Sequence, residues 1–291
     1  MGTTKIQPLK GIRVLSLCLN LPGPAALQRC RQMGANCIKL QPPAGDPMGH
    51  YQPQVYDELH HGIRVQTVDL KTAGGQKRLQ QELAKADVLL TSFRPSALTK
   101  LGLGWKSLRR LYPALNQVAI VGAAGARAEE PGHDLTYLAE HDLVTGLDLP
   151  TTLYADMGGS LMASEAVLQA ITQRQRHGKG VFLEVALADA AAWLAAPRRW
   201  GLTQATGAVG GAHAGYRVYP CKDGRVAVAA LEPHFAAALC RAAGVASSDM
   251  RSMLTPATRK VIAAFLLTQT RRQLERLAAE QDIPLHTLLK Q

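Results

Sequence analysis

Apolar positions in the first part of the chain fall in short runs punctuated by glycine and proline. Ile12 to Leu17 (IRVLSL) reads as a buried strand. Leu21-Pro22-Gly23-Pro24 then turns the chain into a helix over Ala25 to Met33. Gly34 stops that helix, and Asn36 to Leu40 (NCIKL) starts a second strand. Strand, turn, helix, glycine and strand make a βαβ unit, which implies parallel pairing and ligands at the carboxyl ends of the strands. Pro42 to Pro53 reads as a loop. The alternation then resumes with a strand over Val65 to Asp69, a helix over Thr72 to Ala86 and a strand over Asp87 to Leu90. A helix over Trp105 to Leu111 and a strand over Gln117 to Val121 follow. This repetition predicts an α/β fold built on a doubly wound parallel sheet.

The later pattern changes character. Gly159 to Gln175 reads as a long helix, Val181 to Val185 as a strand and Ala186 to Leu194 as a helix. Gly207 to Ala212 is almost all glycine and alanine and has no periodicity, as expected of a linker. Beyond it, Tyr216 to Tyr219 and Arg225 to Ala230 flank Lys222-Asp223-Gly224 as a hairpin, and three helices follow. The predicted organisation is a large domain over 1–199, a linker over 200–215 and a smaller α+β domain over 216–291.

Composition narrows the partners. The 291 residues are 47% hydrophobic but only 5% aromatic, so the core rests on Ala, Leu, Val and Ile. The net charge of +11 favours an anionic ligand. The basic residues are scattered as pairs such as Arg109-Arg110 and Arg271-Arg272, with no nucleic-acid motif, so a phosphate-bearing small molecule fits better than nucleic acid. The five cysteines have no CxxC spacing and no neighbouring histidine cluster, which predicts reduced thiols and no metal site. Met1 to Lys10 has no leader-like apolar run, and Ile6 stands where a myristoylation signal needs Ser or Thr. Leu289-Lys290-Gln291 is not a peroxisomal address. With no apolar stretch fit to span a bilayer, a cytoplasmic location without a membrane partner is expected.

The candidate chemistry lies between Gly132 and Gly159. Gly132-His133-Asp134 opens this stretch and Ala155-Asp156-Met157-Gly158-Gly159 closes it. Imidazole titrates near pH ~6.5, and burial can raise a carboxyl group into the same range. Gly158 and Gly159 would permit close backbone approach, and the helix after them would offer N–H groups to a developing oxyanion. On spacing alone, His133 reads first as a loop or cap residue, and the default reading of Asp156 is the N-cap of that helix.

Several landmarks occur together in one known family. They are Pro8-Leu9-Lys10-Gly11-Ile12-Arg13-Val14, Pro22-Gly23-Pro24, Gly34-Ala35, Val68-Asp69-Leu70-Lys71, Ala86-Asp87-Val88, Phe93-Arg94-Pro95 and Leu101-Gly102-Leu103-Gly104. Gly132 to Ala139, Gly178-Lys179-Gly180 and Leu231-Glu232-Pro233 complete the order. From residue 8 to residue 285 the chain resembles the class III coenzyme A transferases, closest to their α-methylacyl-CoA racemase branch. The resemblance implies a Rossmann-like large domain, a small domain and an interlocked homodimer. It also implies an acyl-CoA substrate, with coenzyme A as part of the substrate and no permanently bound cofactor.

Transferases of this family use an Asp at the position of Asp156 as nucleophile and usually carry Tyr where this chain has His133. Racemases carry His there and use the pair for 1,1-proton transfer at the α-carbon. The resemblance therefore implies a racemase, with a transferase or a non-catalytic relative as alternatives. It gives Glu232 the role of orienting or tuning His133, and has Gly132, Asp134 and Tyr137 support the same wall. Lys39, Arg64 and Arg94 become contacts to coenzyme A. Gln41-Pro42-Pro43 departs from the family's Arg before proline, and Gly62-Ile63 departs from its Gly-Lys. Residues 137 to 156 form a shorter connection than usual, and relatives run on past the position of Gln291.

Overall fold

A computed structural model describes residues 6–290; the readings placed on residues 1–5 and on Gln291 lie outside the described residues. The chain divides into two compact units, one reaching Ala195 and one starting at Ala196.

In the first unit, β1 (Arg13–Ser16) leads to α1 (Pro22–Gln32), which begins inside the expected turn because Pro22 needs no N–H partner at a helix start. β2 (Asn36–Gln41) follows. The stretch expected to be a loop instead carries α2 (Met48–Tyr51) and runs into α3 (Pro53–His60). Next come β3 (Arg64–Thr67) and α4 (Ala73–Leu83), whose first turn is capped by the Thr72 hydroxyl. β4 (Val88–Thr91), α5 (Pro95–Lys100), α6 (Trp105–Leu111) and β5 (Asn116–Val121) continue the alternation. A 3-10 turn over Gly125–Glu129 precedes α7 (Asp134–Glu140), α8 (Tyr154–His177), β6 (Phe182–Ala186) and α9 (Leu187–Leu194).

Among the described residues, six strands pair in parallel in the order β3-β2-β1-β4-β5-β6. The order reverses between β1 and β4, which opens a crevice at the carboxyl ends of these strands. Successive strand residues serve opposite faces. Val14, Val88, Leu90 and Val118 pack with Leu27 of α1 and Val167 of α8. Leu15, Ile38, Leu40 and Leu89 pack with Leu79 of α4, Leu98 of α5 and Leu108 of α6. Covering both faces is why these strands read as continuous apolar runs.

The start of α8 differs from the expectation. It begins at Tyr154, so Gly158 and Gly159 lie inside the helix rather than in a turn before it. A glycine inside a helix ordinarily costs ~1 kcal/mol relative to alanine. Here it lets α9 approach closely. A Cβ on Gly158 would meet Leu194 Cδ1 at 3.2 Å, and one on Gly159 would meet Leu187 Cδ2 at 2.3 Å.

The second unit opens with α10 (Ala196–Arg199) and a 3-10 turn at Ala208–Gly210. β7 (Tyr216–Cys221) and β8 (Gly224–Ala229) form the hairpin. They are followed by α11 (Pro233–Ala243), α12 (Met250–Met253), α13 (Pro256–Thr268) and α14 (Arg271–Gln281). β9 (Leu285–Leu288), not expected from the sequence, adds an antiparallel strand to β8. Val226, Val228, Leu239, Ile262 and Leu274 form the core of this unit. The stretch over 200–215 joins it at its end, where Ala214 is buried and its N–H donates to the Met253 carbonyl at 2.8 Å. Among the described residues, no helix is long and apolar enough to cross a membrane.

Candidate active site

The crevice of the first unit holds a cavity of about 840 Å³. Its walls come from the segments that leave the strands. Leu19 to Pro22 follow β1, Ser92 to Arg94 follow β4, Val121 and Gly122 end β5, and Leu187 follows β6. Met48 and Tyr51 of α2 form another side, and His133, Tyr137 and Asp156 face the same space.

His133 is the residue before α7 and has extended backbone, φ −141° and ψ 170°. Thr136 holds that backbone from two directions. Its hydroxyl accepts from the His133 N–H at 3.1 Å and donates to the His133 carbonyl at 2.7 Å. The anchoring is through the main chain, so the imidazole is carried on a fixed base at the cavity wall.

Asp156 is in the first turn of α8. Its N–H donates at 2.9 Å to Oδ1 of Asp134, the buried first residue of α7. This bond stitches the start of α7 to the start of α8, which brings the residue beside Asp134 into the same cavity as Asp156. A carboxylate in a helix's first turn is ordinarily stabilised by the helix dipole, by about 0.3–1 kcal/mol at typical exposure. Here the opposing effects win. Burial and the neighbouring Asp134 charge push the Asp156 carboxyl up to about 6, against a smaller lowering by His133.

Tyr137 fills the angle between two glycines. A Cβ on Gly122 would stand 2.2 Å from its hydroxyl, and one on Gly132 would stand 2.5 Å away. Gly132 therefore serves the packing of Tyr137, and Gly122 is a site residue that the sequence reading missed. Burial and the Asp156 charge raise the Tyr137 phenol, with Arg94 and Arg127 opposing. At the rim, Arg127 bonds Glu130 at 2.9 Å and Glu140 at 2.7 Å, and Glu129 accepts from the Ser96 hydroxyl at 2.9 Å.

Of the residues singled out from sequence, Arg94, Gly132, His133, Tyr137 and Asp156 line this cavity, and Asp134 lies directly behind it. Arg94 is exposed at the start of α5. The others lie elsewhere. Gly158 and Gly159 face α9, and their N–H groups are within the helix, so they do not form a turn against a ligand. Lys39 is fully buried and ion-paired with Asp46, which removes it from the surface position expected of a nucleotide contact. Arg64 is exposed at the first residue of β3, the amino end of that strand. Glu232 is exposed in the second unit, just before α11. Tyr51, Asn20 and Ser92 line the cavity without having been singled out; their signal was position, directly after a strand or within the following loop. Among the described residues, no group of three or more His, Cys, Asp or Glu side chains converges as a metal site.

CoA-transferase family III matches residues 9–290. A probable fatty acyl-CoA transferase of Mycobacterium tuberculosis is 32% identical over 65% of this chain and 53% of its own length. The mouse alpha-methylacyl-CoA racemase is 28% identical over 86% of this chain and 68% of its own. A succinyl-CoA–D-citramalate CoA-transferase of Chloroflexus aurantiacus is 32% identical over 62% and 49%. The chain thus spans about half the length of the two transferases. The crystal structure of a hypothetical M. tuberculosis protein superposes with a TM-score of 0.82 at 25% identity, covering 97% of this chain and 85% of that one.

Proposed function

Since the chain belongs to CoA-transferase family III, we propose that it is an acyl-CoA racemase that inverts the α-carbon of a 2-methylacyl-CoA thioester. The observation that carries this reading is the carboxyl group of Asp156, pushed up to about 6 in the cavity that also holds His133. A carboxyl group raised towards neutral pH can both take a proton and give it back, which a two-base inversion asks of each of its bases. In one direction Asp156 takes the α-proton from one face, leaving an enolate thioester, and the His133 imidazolium returns a proton to the other face. In the reverse direction the roles exchange.

The first unit supplies an apolar wall for the acyl group through Leu19, Leu21, Met48, Val55, Phe93 and Leu187. Arg94 is the one guanidinium among the described lining residues, and we assign it to the coenzyme A portion. That lining favours a branched apolar acyl group over a dicarboxylate. Glu232 is assigned to tune His133 within an interlocked homodimer, as the resemblance implies. A cytoplasmic location belongs to the same reading.

A second reading is supported by the two similar transferases. In it, the Asp156 carboxylate attacks the thioester carbonyl, releases the coenzyme A thiolate and forms a mixed anhydride. One experiment separates the two. The protein is incubated with 2-methylacyl-CoA in deuterated water, and in parallel with hydroxylamine. Racemisation predicts deuterium at the α-carbon and no hydroxamate on Asp156. His133→Ala and Asp156→Ala each lower exchange by roughly 10²–10⁴-fold while the circular dichroism spectrum is retained. Trapping of Asp156 without α-exchange establishes the transferase, and neither signal with any acyl-CoA leaves a non-catalytic relative.

A further inference from the structure

A buried charged cluster beside the cavity has no part in the proton transfer. Lys39 is in β2, between β1 and β3, and its side chain is fully buried. Its ammonium pairs with Asp46 Oδ2, lies 2.8 Å from His60 Nε2 and stands 5.3 Å from the centre of the Tyr56 ring. His60 Nδ1 is 2.6 Å from the Tyr56 carbonyl, so Nδ1 carries a proton as donor and Nε2 accepts from the ammonium. Burial lowers the proton affinity of Lys39, and the hydrogen bond and charge of Asp46 act against that lowering.

The other oxygen of Asp46 faces the cavity walls. Oδ1 accepts from the Asn20 N–H at 3.0 Å and from the Met48 N–H at 3.0 Å. Asn20 belongs to the turn between β1 and α1 and has a left-handed backbone, φ +62°, a conformation that side-chain-bearing residues adopt at a cost. Met48 opens α2, which carries Tyr51. Both residues line the cavity, on segments far apart in sequence. One carboxylate oxygen thus joins two stretches of wall from separate segments, and Lys39 holds that carboxylate in place through its other oxygen.

We infer that Lys39, Asp46 and His60 form an internal brace that sets the spacing between the β1–α1 turn and α2, and so positions the wall against which the thioester arm lies. That the wall serves a thioester rests on the function proposed above; the brace itself does not. Lys39 and Asp46 are positioning residues, since neither lines the cavity.

The test uses the full chain and two double variants. Lys39→Met with Asp46→Leu removes both buried charges together and deletes the acceptor, so no unpaired charge is left to unfold the protein. Lys39→Met with Asp46→Asn also removes both charges but keeps an oxygen for the two N–H groups. Hydrogen exchange is followed at the Asn20 and Met48 amides, and binding of free coenzyme A is followed by calorimetry. The Leu double variant is expected to lose at least tenfold in protection at both amides while Val118, in the sheet core, keeps its own. It is expected to bind coenzyme A at least fivefold more weakly, and the Asn double variant to recover most of both. Unchanged protection at Asn20 and Met48 in the Leu double variant overturns the brace. If the wild-type protein itself does not bind coenzyme A, the proposed substrate falls, while the amide protections still decide the brace.

Discussion

Replacing Asp156 with asparagine tests the electrostatics of the site without any substrate. The carboxyl is pushed from its ordinary value of 3.8 up to about 6. A difference of roughly 2 pKa units corresponds to ~3 kcal/mol between the two protonation states. The folded protein holds this proton more tightly than the unfolded chain does. Its favourable contribution is therefore complete below the unfolded pKa and is lost as pH rises through about 6. Above that point the ionised side chain is held at a net penalty. An asparagine side chain keeps the shape and removes the charge, so Asp156→Asn is expected to stabilise the protein by ~2–3 kcal/mol near pH 7.5. Near pH 4 most of the native carboxyl is already protonated, and the gain shrinks to ~0.5 kcal/mol. Urea unfolding of both proteins across this range, followed by far-ultraviolet circular dichroism, gives the two curves. A variant no more stable than wild type at pH 7.5, or one whose gain is the same at pH 4, refutes the assignment of the raised carboxyl.

Other predictions concern single contacts. Asp134→Asn keeps an acceptor for the Asp156 N–H but removes the neighbouring charge, so the acidic limb of α-exchange against pH should move to lower pH; an unmoved limb shows that burial alone raises Asp156. Gly122→Ala should destabilise by ~1–3 kcal/mol through its clash with the Tyr137 hydroxyl. Tyr137→Phe should relieve most of that loss, because the next ring atom is 3.1 Å away, and a thermal-shift double-mutant cycle reads the coupling. The same ring substitution should not relieve Gly132→Ala, whose Cβ also meets Tyr137 Cε1 at 2.7 Å. Gly180→Ala should be worse than Gly178→Ala in denaturant. A Cβ at Gly180 would stand 1.9 Å from the Leu115 carbonyl oxygen, whereas Gly178 has open space and only a left-handed φ of +70° to strain, a penalty of roughly 1–2 kcal/mol.

The alternation of the first unit was legible because its strands are short apolar runs bounded by strong breakers. The helices over Trp105–Leu111 and Arg271–Gln281 fall where the residues place them. Helix α2 was hidden because Pro47 and Pro53 bracket a single turn that sequence rules read as a loop. The start of α8 was missed because two adjacent glycines signal a turn locally. Only the proximity of Leu187, Ala190 and Leu194 on α9 explains their presence in a helix. β9 was missed because a strand of Leu285–Leu288 has too few residues to show alternation.

At the site, His133 and Asp156 were visible as residue types, but the Asp134 bond that joins their two helices is a long-range contact no spacing encodes. Lys39 is a second such case. Ile38 and Leu40 point to the opposite face of the sheet, so they do not mark its burial, which is matched by contacts outside the strand to Asp46 and His60.

The cavity walls follow five different strands, β1, β2, β4, β5 and β6, and among the hydrogen bonds described above only the Asp46 carboxylate ties the turn after β1 to α2. The Ser92–Arg94 segment and Leu187 stand outside that tie. Such a layout is modular: one lip of the crevice can be rewritten by a few substitutions while the helix bearing Asp156 keeps its register. Directed evolution toward bulkier or smaller acyl chains should therefore collect its first changes after β4 and β6, and avoid the turn that begins at Leu19.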